Sequence, residues 1–416
     1  MRPVLMLFVG TRGVRLADMC NPLAESADVV IATSDEILAQ RADALDDTVR
    51  ASDVVRAPDL AGLAEACRNY PGRVDGALSF SDDMIELVAR FAAERGLPGQ
   101  PAGSTAAFRD KYLQRGLLAA GGLPVPRHIE ITDPDQADKA IEVVGLPAIL
   151  KPTRGSGSAL AYQIDQPGEL RERLREAFAA APRVGGAVAG DTAFILEGLL
   201  VGHRWHEVDG LAPYVSVESV AVGGRYLHLA VTDRFPLAPP VLETGMMLPS
   251  SLTEPQRQQV VDVADQALRA LAFQHGLAHV ELMLTAAGPR VIEVNARSGG
   301  ALPYLFPLAG GPDLVAMAGR AALGELPGAP PRFDGYAVFA APQHPVGVRV
   351  AKVTGLDRAA AVPGVGAVIP LSVNPTSTDD FQGTMIAAVL GRAATPERAV
   401  TLWRDVMASV KAEYLP

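Results

Sequence analysis

The chain has 416 residues, of which 49% are hydrophobic and 20% are charged, so it can bury substantial cores and is predicted to form roughly two to four globular domains. Its 37 basic and 47 acidic residues give a formal charge of −10, which argues against nucleic acid or an anionic membrane as the main partner. Two cysteines are too few for a disulfide framework or a thiolate-rich metal site, and this favours a reducing cytoplasm.

The first segment, from Val4 to Pro98, predicts a parallel sheet with crossover helices. The apolar strand candidates VLMLFVG, VVIAT and GALSFS each precede a polar or alanine-rich segment. The opening run MRPVLMLFVG is too short to cross a bilayer and lacks a small-residue cleavage site, so it is interpreted as a buried strand. GTRG follows that strand, but the full dinucleotide-binding glycine fingerprint is missing, and an ordinary strand-to-helix turn is favoured.

A glycine- and proline-rich stretch, GLPGQPAGS at 96–104, predicts the end of this first domain. A helix is expected next, because Phe108, Tyr112 and Leu113 have helical spacing and a glycine pair follows. Lys111 lies in this predicted helix.

The stretch LPAILKPTRGSGSALAYQI predicts a strand, a glycine turn and a second strand, with Lys151 at the end of the first strand. Gly155 and Gly157 would let backbone N–H groups approach phosphate oxygens, and Ser156 and Ser158 add hydroxyl donors. The stretch lacks the residue order of a P-loop, and similar hairpin turns are common, so this motif alone is a weak indication of nucleotide binding.

The segments that follow predict helices mixed with antiparallel strands. A helix is expected from Gly168 to Ala181, before the strand AFILEGLLVG, and YVSVESVAV and RYLHLAVTDR resemble neighbouring antiparallel strands. TEPQRQQVVDVADQALRALAF has the threonine cap, early proline and apolar spacing of a helix. Proline-rich GELPGAPPR predicts a second boundary, before a smaller carboxy-terminal portion of mixed strands and helices.

A hairpin, GLAHVELMLTAAGPRVIEVNARSGG, carries the main charged constellation. Pairing across its AAGP turn can bring Glu281 and Glu293 together on one face, where two carboxylates repel unless a cation lies between them. Asn295, two residues beyond Glu293, points to the same face and offers a neutral oxygen. These hard oxygen ligands suit Mg²⁺. Two solvent-facing glutamates are the alternative, but apolar neighbours on both sides, together with His279 and Arg297, favour a site.

In chain order, these motifs resemble the ATP-grasp carboxylate-amine ligases. The resemblance rests on RDKYLQRGLLAAGGLPVPR, ILKPTRGSGS, FILEGLLVG and HVELMLTAAGPRVIEVNARSGG, which cover roughly residues 75 to 325. The stretch from FILEGLLVG to LETGMMLPSSL is similar to the L-amino acid ligases that form dipeptides, including the bacilysin-forming type. The implied fold class is α/β and α+β: a Rossmann-like domain (1–100), an ATP-grasp domain of two α+β lobes (101–325, with a mobile lid at about 145–200) and a small C-terminal α+β subdomain (326–416).

The resemblance also implies roles for individual residues. The ATP phosphates would be bound by Lys111 and Lys151, with Gly155 and Ser156 in the loop above them. The adenine hinge would consist of Glu197, Gly198, Leu199 and Leu200. The ligands of Mg²⁺, or of Mn²⁺ as an alternative, would be Glu281, Glu293 and Asn295. Arg297 would be the catalytic residue, where the acyl phosphate and the tetrahedral intermediate carry negative charge. The further substrate contacts would be Asp82, Glu243, the N–H groups of Ser298, Gly299 and Gly300, and Ala301.

Several residues depart from the family pattern. Gly198 and His203 replace acidic residues often found around the hinge, so the ribose contact is unassigned. Met246 stands where dipeptide ligases of this subgroup carry a polar His, and Ala301 stands where the bacilysin-type enzyme has a bulky aromatic residue. These departures predict a pocket that is more apolar and differently shaped, so substrate identity does not transfer.

The implied activity is ATP- and Mg²⁺-dependent ligation. A carboxylate is phosphorylated and the acyl phosphate is coupled to an amine, with release of ADP and phosphate. The expected partners are small-molecule carboxylates and amines, such as amino acids or a short peptide, and the resemblance is compatible with a homodimer. The alternatives are another ATP-grasp enzyme, a carboxylase or a ligase of a non-amino-acid carboxylate, and a nucleotide-binding regulator without turnover. The complete set of candidate catalytic residues argues against a regulator.

Overall fold

The structure is a computed structural model that describes residues 1–41, 45, 48–183, 193–239, 241–345, 348–371 and 384–415. The first unit contains β1 (Val4–Phe8), α1 (Leu16–Ser26), β2 (Asp28–Ser34), α2 (Asp35–Gln40), β3 (Asp53–Ala57), α3 (Leu60–Arg68), β4 (Gly76–Ser79) and α4 (Ile85–Arg95). Its four strands pair in parallel in the order β3-β2-β1-β4. The predicted parallel sheet is confirmed, and β3 is a strand that the sequence pattern did not indicate.

The continuous apolar run of β1 follows from its central place in this sheet. Successive side chains of a strand point to opposite faces, so a strand that is covered on both faces is apolar throughout. Leu5 and Leu7 pack into one core cluster, whereas Met6 and Phe8 pack into the cluster on the other face. The first polar residues after β1, Thr11 and Arg12, therefore follow beyond the carboxyl end of the strand.

A second unit is a four-stranded antiparallel sheet covered by two helices. Its elements are β5 (His128–Ile131), α6 (Ala137–Val144), β6 (Ala148–Pro152), β7 (Tyr162–Ile164), α7 (Pro167–Ala180) and β8 (Phe194–Gly198), and it follows α5 (Lys111–Ala120). The strand order is β5-β8-β6-β7, and the apolar faces of α6 and α7 share one core with the sheet. The predicted strand-turn-strand around Lys151 is confirmed as β6 and β7. Residues 184–192 of the expected lid lie outside the described residues.

The third unit is built on an eight-stranded sheet. Its first elements are β9 (Tyr214–Val222), β10 (Arg225–Arg234), β11 (Gly245–Leu248), α8 (Glu254–Ala270), β12 (Gly276–Thr285), β13 (Gly288–Asn295), α9 (Leu302–Leu308) and α10 (Leu314–Ala322). The predicted helix α8 begins with a capping box in which Thr253 and Gln256 satisfy each other's backbone N–H groups. Within the described residues, no helix combines the length and apolar character needed to cross a membrane.

The carboxy-terminal portion joins this same sheet. It contains β14 (Tyr336–Ala340), β15 (Val350–Thr354), α11 (Leu356–Ala360), β16 (Val365–Pro370), β17 (Ala387–Ala393), α12 (Pro396–Ser409) and β18 (Lys411–Tyr414). The sheet order is β13-β12-β9-β10-β11-β14-β17-β16, and β15 pairs separately with β18. The expected boundary at residue 325 lies between α10 and β14, but the strands beyond it continue the large sheet. The domain limits at 100 and 325 stay predictions.

Helix α5 packs along the outer edge of β13, the strand at one end of the eight-stranded sheet. The side-chain amide of Gln114 donates to the carbonyl of Val294 and accepts from its N–H, both at 2.9 Å, as a neighbouring strand would. Arg115 donates to the carbonyl of Ile292 at 2.6 Å. The predicted helix is confirmed, but Tyr112 and Leu113, whose spacing indicated it, are 36% and 47% exposed. The buried face is polar instead, because it must satisfy the strand edge.

Candidate active site

The β12–β13 hairpin places two carboxylates side by side. Glu281 lies directly opposite Glu293, and His279 lies opposite Asn295. The register shifts by one residue immediately after the glutamate pair, where β13 contains an additional residue, Ile292. The pairing is the one expected from the sequence, and the metal-binding role of these residues stays a prediction.

His279 lies behind Glu281 and holds it. Its Nδ1 is 2.9 Å from both carboxylate oxygens of Glu218, and its Nε2 is 3.2 Å from Glu281 Oε1. Burial alone would lower the pKa of His279, but the two glutamates outweigh burial and raise it to about 9. Burial would likewise raise the pKa of Glu281, yet the hydrogen bond and charge of His279 lower it to about 2. His279 therefore links Glu218 to Glu281 behind the carboxylate pair, and Arg234 Nη2 also lies 3.0 Å from its Nε2.

A second buried cluster surrounds Lys151. The Nζ atom of Lys151 is 2.5 Å from Glu197 Oε1, and Arg115 Nε is 2.8 Å from Glu197 Oε2. Burial alone would raise the pKa of Glu197, but Arg115 and Lys151 outweigh it and lower the pKa to about 2. Burial lowers the pKa of Lys151 in spite of its carboxylate partner. One carboxylate thus serves two cations, which leaves a net positive charge at the end of β6.

Lys111, the first residue of α5, links the glycine turn to the glutamate pair. Its Nζ donates to the carbonyl of Gly155 at 2.8 Å and lies 3.0 Å from Glu293 Oε1. The backbone N–H of Lys111 donates to the carbonyl of Thr153. The side chain therefore connects the four-stranded sheet to the eight-stranded sheet at the point where the two units meet.

Two adjoining cavities lie over these groups. One cavity, which we name the nucleotide-side cavity after the ATP contacts predicted for Lys111 and Lys151, has a volume of about 200 Å³ and includes both lysines, Gly155, Ile149 and Ile292 among its lining residues. The other, which we name the reaction-side cavity after the catalytic role predicted for Arg297, has a volume of about 370 Å³ and includes Asp82, Asn295, Arg297 and the segment 298–300. Residues common to both linings are Ser156, Gly157, Ser158, Glu243, Glu281 and Glu293. The glutamate pair thus lies at the junction of an apolar-walled cleft and a charged chamber.

Arg297 reaches the reaction-side cavity from beyond the end of β13. Its Nε and Nη2 atoms both lie 2.8 Å from Asp82 Oδ2, and its Nη1 donates to the carbonyl of Ser298 at 2.8 Å. Burial would raise the pKa of Asp82, but Arg297 outweighs it and lowers the pKa. Because the strand ends at Asn295, the ion pair with the first unit, rather than strand periodicity, fixes the guanidinium.

Comparison with known proteins identifies a domain that carries part of this site. Residues 144–303 match the family model described as ATP-grasp domain. The chain contains an ATP-grasp domain. The solved structure of an L-amino acid ligase from Bacillus licheniformis superposes with a TM-score of 0.77 at 19% identity, covering 100% of this chain and 99% of that one. At this identity the likeness shows a shared fold, and the predicted fold class is confirmed.

Curated relatives match part of this chain. Carnosine synthase 1 of Mus musculus is 32% identical over 66% of this chain and 34% of the relative. Alanine--anticapsin ligase of Bacillus subtilis strain 168 is 27% identical over 54% of this chain and 49% of the relative. The matches therefore span between a third and a half of these two relatives.

Most of the predicted site residues of the ATP-grasp domain line the two cavities, and two groups do not. Glu197 to Leu200 line neither cavity; the Glu197 carboxylate is occupied by two cations, and the Leu199 N–H donates to the carbonyl of Pro147. The adenine-hinge role stays a prediction. Ala301 lines neither cavity and is buried in a core cluster at the start of α9, and its substrate-contact role stays a prediction.

Glu243 lies in the lining of both cavities, but its carboxylate already has a partner. Its Oε1 atom is 2.8 Å from Nη1 of the buried Arg234. The predicted contact with a substrate ammonium stays a prediction, and it would have to be shared with this guanidinium.

Three buried polar residues of the site were not predicted from the sequence: Glu218, Arg234 and Arg115. A signal for Glu218 was present, because YVSVESVAV places Ser216 and Glu218 on one face of an otherwise apolar strand. A polar residue repeated at period two inside a buried strand indicates a polar network. Arg234 and Arg115 gave no such signal, since each occupies a position where a solvated arginine is equally common.

Proposed function

We propose that this chain is an ATP- and Mg²⁺-dependent ligase that activates the carboxylate of an amino acid as an acyl phosphate and joins it to an amine. The observation that carries the proposal is the meeting of two lysines, a glycine turn, paired glutamates and an arginine around two adjoining cavities. A carboxylate oxygen attacks the γ-phosphorus and ADP leaves; the amine nitrogen then attacks the acyl carbon and phosphate leaves.

The donor set fits Mg²⁺. Glu281 and Glu293 lie opposite each other, and Asn295 follows on the same face, so three oxygen donors are close together. In the described part of the chain, no cluster of three or more His, Cys, Asp or Glu side chains is arranged to hold a metal ion. Two carboxylates and an amide are nevertheless sufficient for Mg²⁺, because this ion retains waters and binds nucleotide phosphates together with one or two carboxylates. The ion would neutralise phosphate charge between the two cavities.

The residues proposed to bind the ATP phosphates are Lys151, Lys111 and the turn at 155–158. Both lysines and this turn line the nucleotide-side cavity, and the apolar Ile149 and Ile292 form part of its walls. A cleft lined by apolar side chains and by cations suits a purine base followed by phosphates. Lys111 holds the turn through Gly155 and is therefore expected to move with it when nucleotide binds.

Arg297 is placed to stabilise charge that develops during the reaction. It lies with 298–300 in the reaction-side cavity next to the glutamate pair. A guanidinium and backbone donors act most strongly on an oxyanion when they are fixed before the reaction, and the Asp82 ion pair fixes this guanidinium.

An amino acid is the favoured acyl donor because the relatives of similar sequence include a protein named alanine--anticapsin ligase. Small molecules are therefore the proposed partners, and the proposed location is the cytoplasm, where the two free, buried cysteines would stay reduced. A carboxylase, a ligase of another acid and a regulator without turnover are distinct outcomes of the test below.

The first prediction is that ADP release depends on an amino acid and on Glu293. Purified protein with ATP, Mg²⁺ and a panel of amino acids should release ADP and form a dipeptide detectable by mass spectrometry. Glu293→Gln should abolish turnover because it removes one charge from the proposed metal site, while its melting temperature stays close to the wild-type value because the change is isosteric.

Each other outcome excludes part of the proposal. Full activity of Glu293→Gln at saturating Mg²⁺ would rule out the metal assignment. ADP release that requires bicarbonate and gives no peptide would indicate a carboxylase. ATP binding without ADP release for any acid would indicate a regulator.

A further inference from the structure

On one face of the eight-stranded sheet, the side chains change from charged to apolar from one strand to the next. Glu293 and Glu281 lie opposite each other on β13 and β12, and Arg234 on β10 lies opposite Met246 on β11. Met246 in turn lies opposite Phe339 on β14. Directly opposed residues of an antiparallel sheet share a face, and all five line the reaction-side cavity. The face thus begins with carboxylates and ends with two large apolar side chains.

The apolar end is closed by the carboxy-terminal portion. We define the C-terminal wall as the cavity-lining residues beyond 325: Phe339, Ala341, Gln343, Thr384 and Met385. Gln343 forms a bridge with Met385, and its side-chain Nε2 donates to the carbonyl of Glu243 at 2.7 Å. The Ala341 N–H donates to the carbonyl of Thr244 at 2.9 Å. The wall is therefore attached to β11 and carries no charged side chain.

Two charged residues of the cavity lining on the side of β11 are paired with each other. Arg234 and Glu243 form an ion pair at 2.8 Å at the border between the charged and apolar parts of the face. A charged substrate side chain against the wall would lose water without gaining a counter-charge, which is costly. An apolar side chain in the same place would bury its surface against Met246 and Phe339 and gain free energy.

We propose that the C-terminal wall, with Met246, is the side-chain subsite for the amino acid whose carboxylate is phosphorylated, and that it selects an uncharged, mainly apolar side chain. This inference rests on the proposed function. The acyl donor is the substrate in question because its reacting carboxylate must reach Glu281 and Glu293, which lie on the same face as the wall.

The test compares acyl donors of matched size and different charge. Wild-type protein should use leucine or methionine at least about tenfold better than aspartate or lysine, measured as kcat/KM for ADP release with one fixed amine. Met385→Lys should shift the ratio of glutamate to leucine by at least about tenfold toward glutamate, because it supplies the missing counter-charge. Phe339→Ala should favour larger apolar donors over leucine.

Val338→Ala is the matched control. Val338 lies on the same strand as Phe339 but points to the opposite face, in a separate core. This variant should lower the melting temperature and leave the donor preference unchanged. The subsite is overturned if Met385→Lys and Phe339→Ala keep the wild-type preference, and the donor assignment is overturned if product analysis shows that only the amine preference moves.

A separate readout distinguishes failure of the subsite from failure of the proposed activity. If no amino acid elicits ADP release, the ligase function is wrong, and the melting temperature is measured with each amino acid in the presence of Mg²⁺-ADP. A rise with leucine in wild type that changes to a rise with glutamate in Met385→Lys supports the subsite. No shift with any amino acid in either protein overturns it.

Discussion

Arg297 shows how one residue combines a structural and a chemical role. Its guanidinium holds Asp82 of the first unit through two atoms at 2.8 Å and lines the reaction-side cavity. If its role is chemical, Arg297→Ala should lower kcat by about 10²- to 10³-fold and change the KM for ATP much less. Arg297→Lys should restore activity only in part, because lysine keeps the charge and loses the planar fork.

The ion pair makes a matched control necessary. Asp82→Asn removes the same salt bridge and keeps the guanidinium, so it should reproduce any loss of melting temperature without the full loss of kcat. Single-turnover ADP formation and thermal melting are measured on the same preparations. An Arg297→Ala protein that melts earlier but forms ADP at the normal rate would show that the residue is structural.

At the scale of secondary-structure elements, the ion pairs of Glu197 connect two strands and a helix. Glu197 lies on β8 and pairs with Arg115 of α5 and Lys151 of β6, all of them nearly inaccessible to solvent. The pKa of Glu197 falls from 4.5 in its ordinary range to about 2 in the fold. A lowered carboxylate pKa contributes stability that is complete above pH 4.5 and is lost as the pH falls through about 2.

Glu197→Gln should therefore destabilise the protein most at neutral pH. We expect a loss of about 3 to 5 kcal/mol at pH 7, because two buried cations lose their partner. The loss should shrink at about pH 3, where the wild type has already lost part of this contribution. Urea unfolding at both pH values measures the difference, and an equal loss at both would contradict the assigned pKa shift.

At the scale of the whole molecule, the carboxy-terminal portion completes the large sheet. Phe235 and Met247 pack in one core with Val338 and helix α12, and the Phe235 ring stacks on Trp403 with centroids 4.6 Å apart. A chain ending at residue 325 would leave β11 as an unpaired edge and expose this core. We expect it to show no cooperative thermal transition.

Circular dichroism melting and size-exclusion chromatography of this truncated chain, beside the full chain, provide the measurement. A soluble monomer that melts cooperatively and binds ADP would instead show that residues 326–416 are a separable domain. That result would also place the C-terminal wall outside the folded unit that binds nucleotide.

The sequence was sufficient where the determining interactions are local. The short AAGP turn sets the hairpin register from Thr285 and Gly288 as far as Leu282 and Val291. Glu281 then lies opposite Glu293 because of the one-residue bulge at Ile292. The glycine turn after Lys151 and the capped helix α8 are local in the same sense. For these elements, periodicity and turn chemistry determine the structure.

Only the tertiary structure decided which distant groups meet. Asp82 and Arg297 are 215 positions apart, and Arg115 and Glu197 are 82 apart, so no periodicity connects them. The buried polar face of α5 also depends on the edge of β13, which its own sequence does not contain. Ala301 is adjacent to the site in sequence, yet its side chain is buried in a core cluster at the start of α9. Sheet order and long-range packing decide such positions, and a linear pattern records neither.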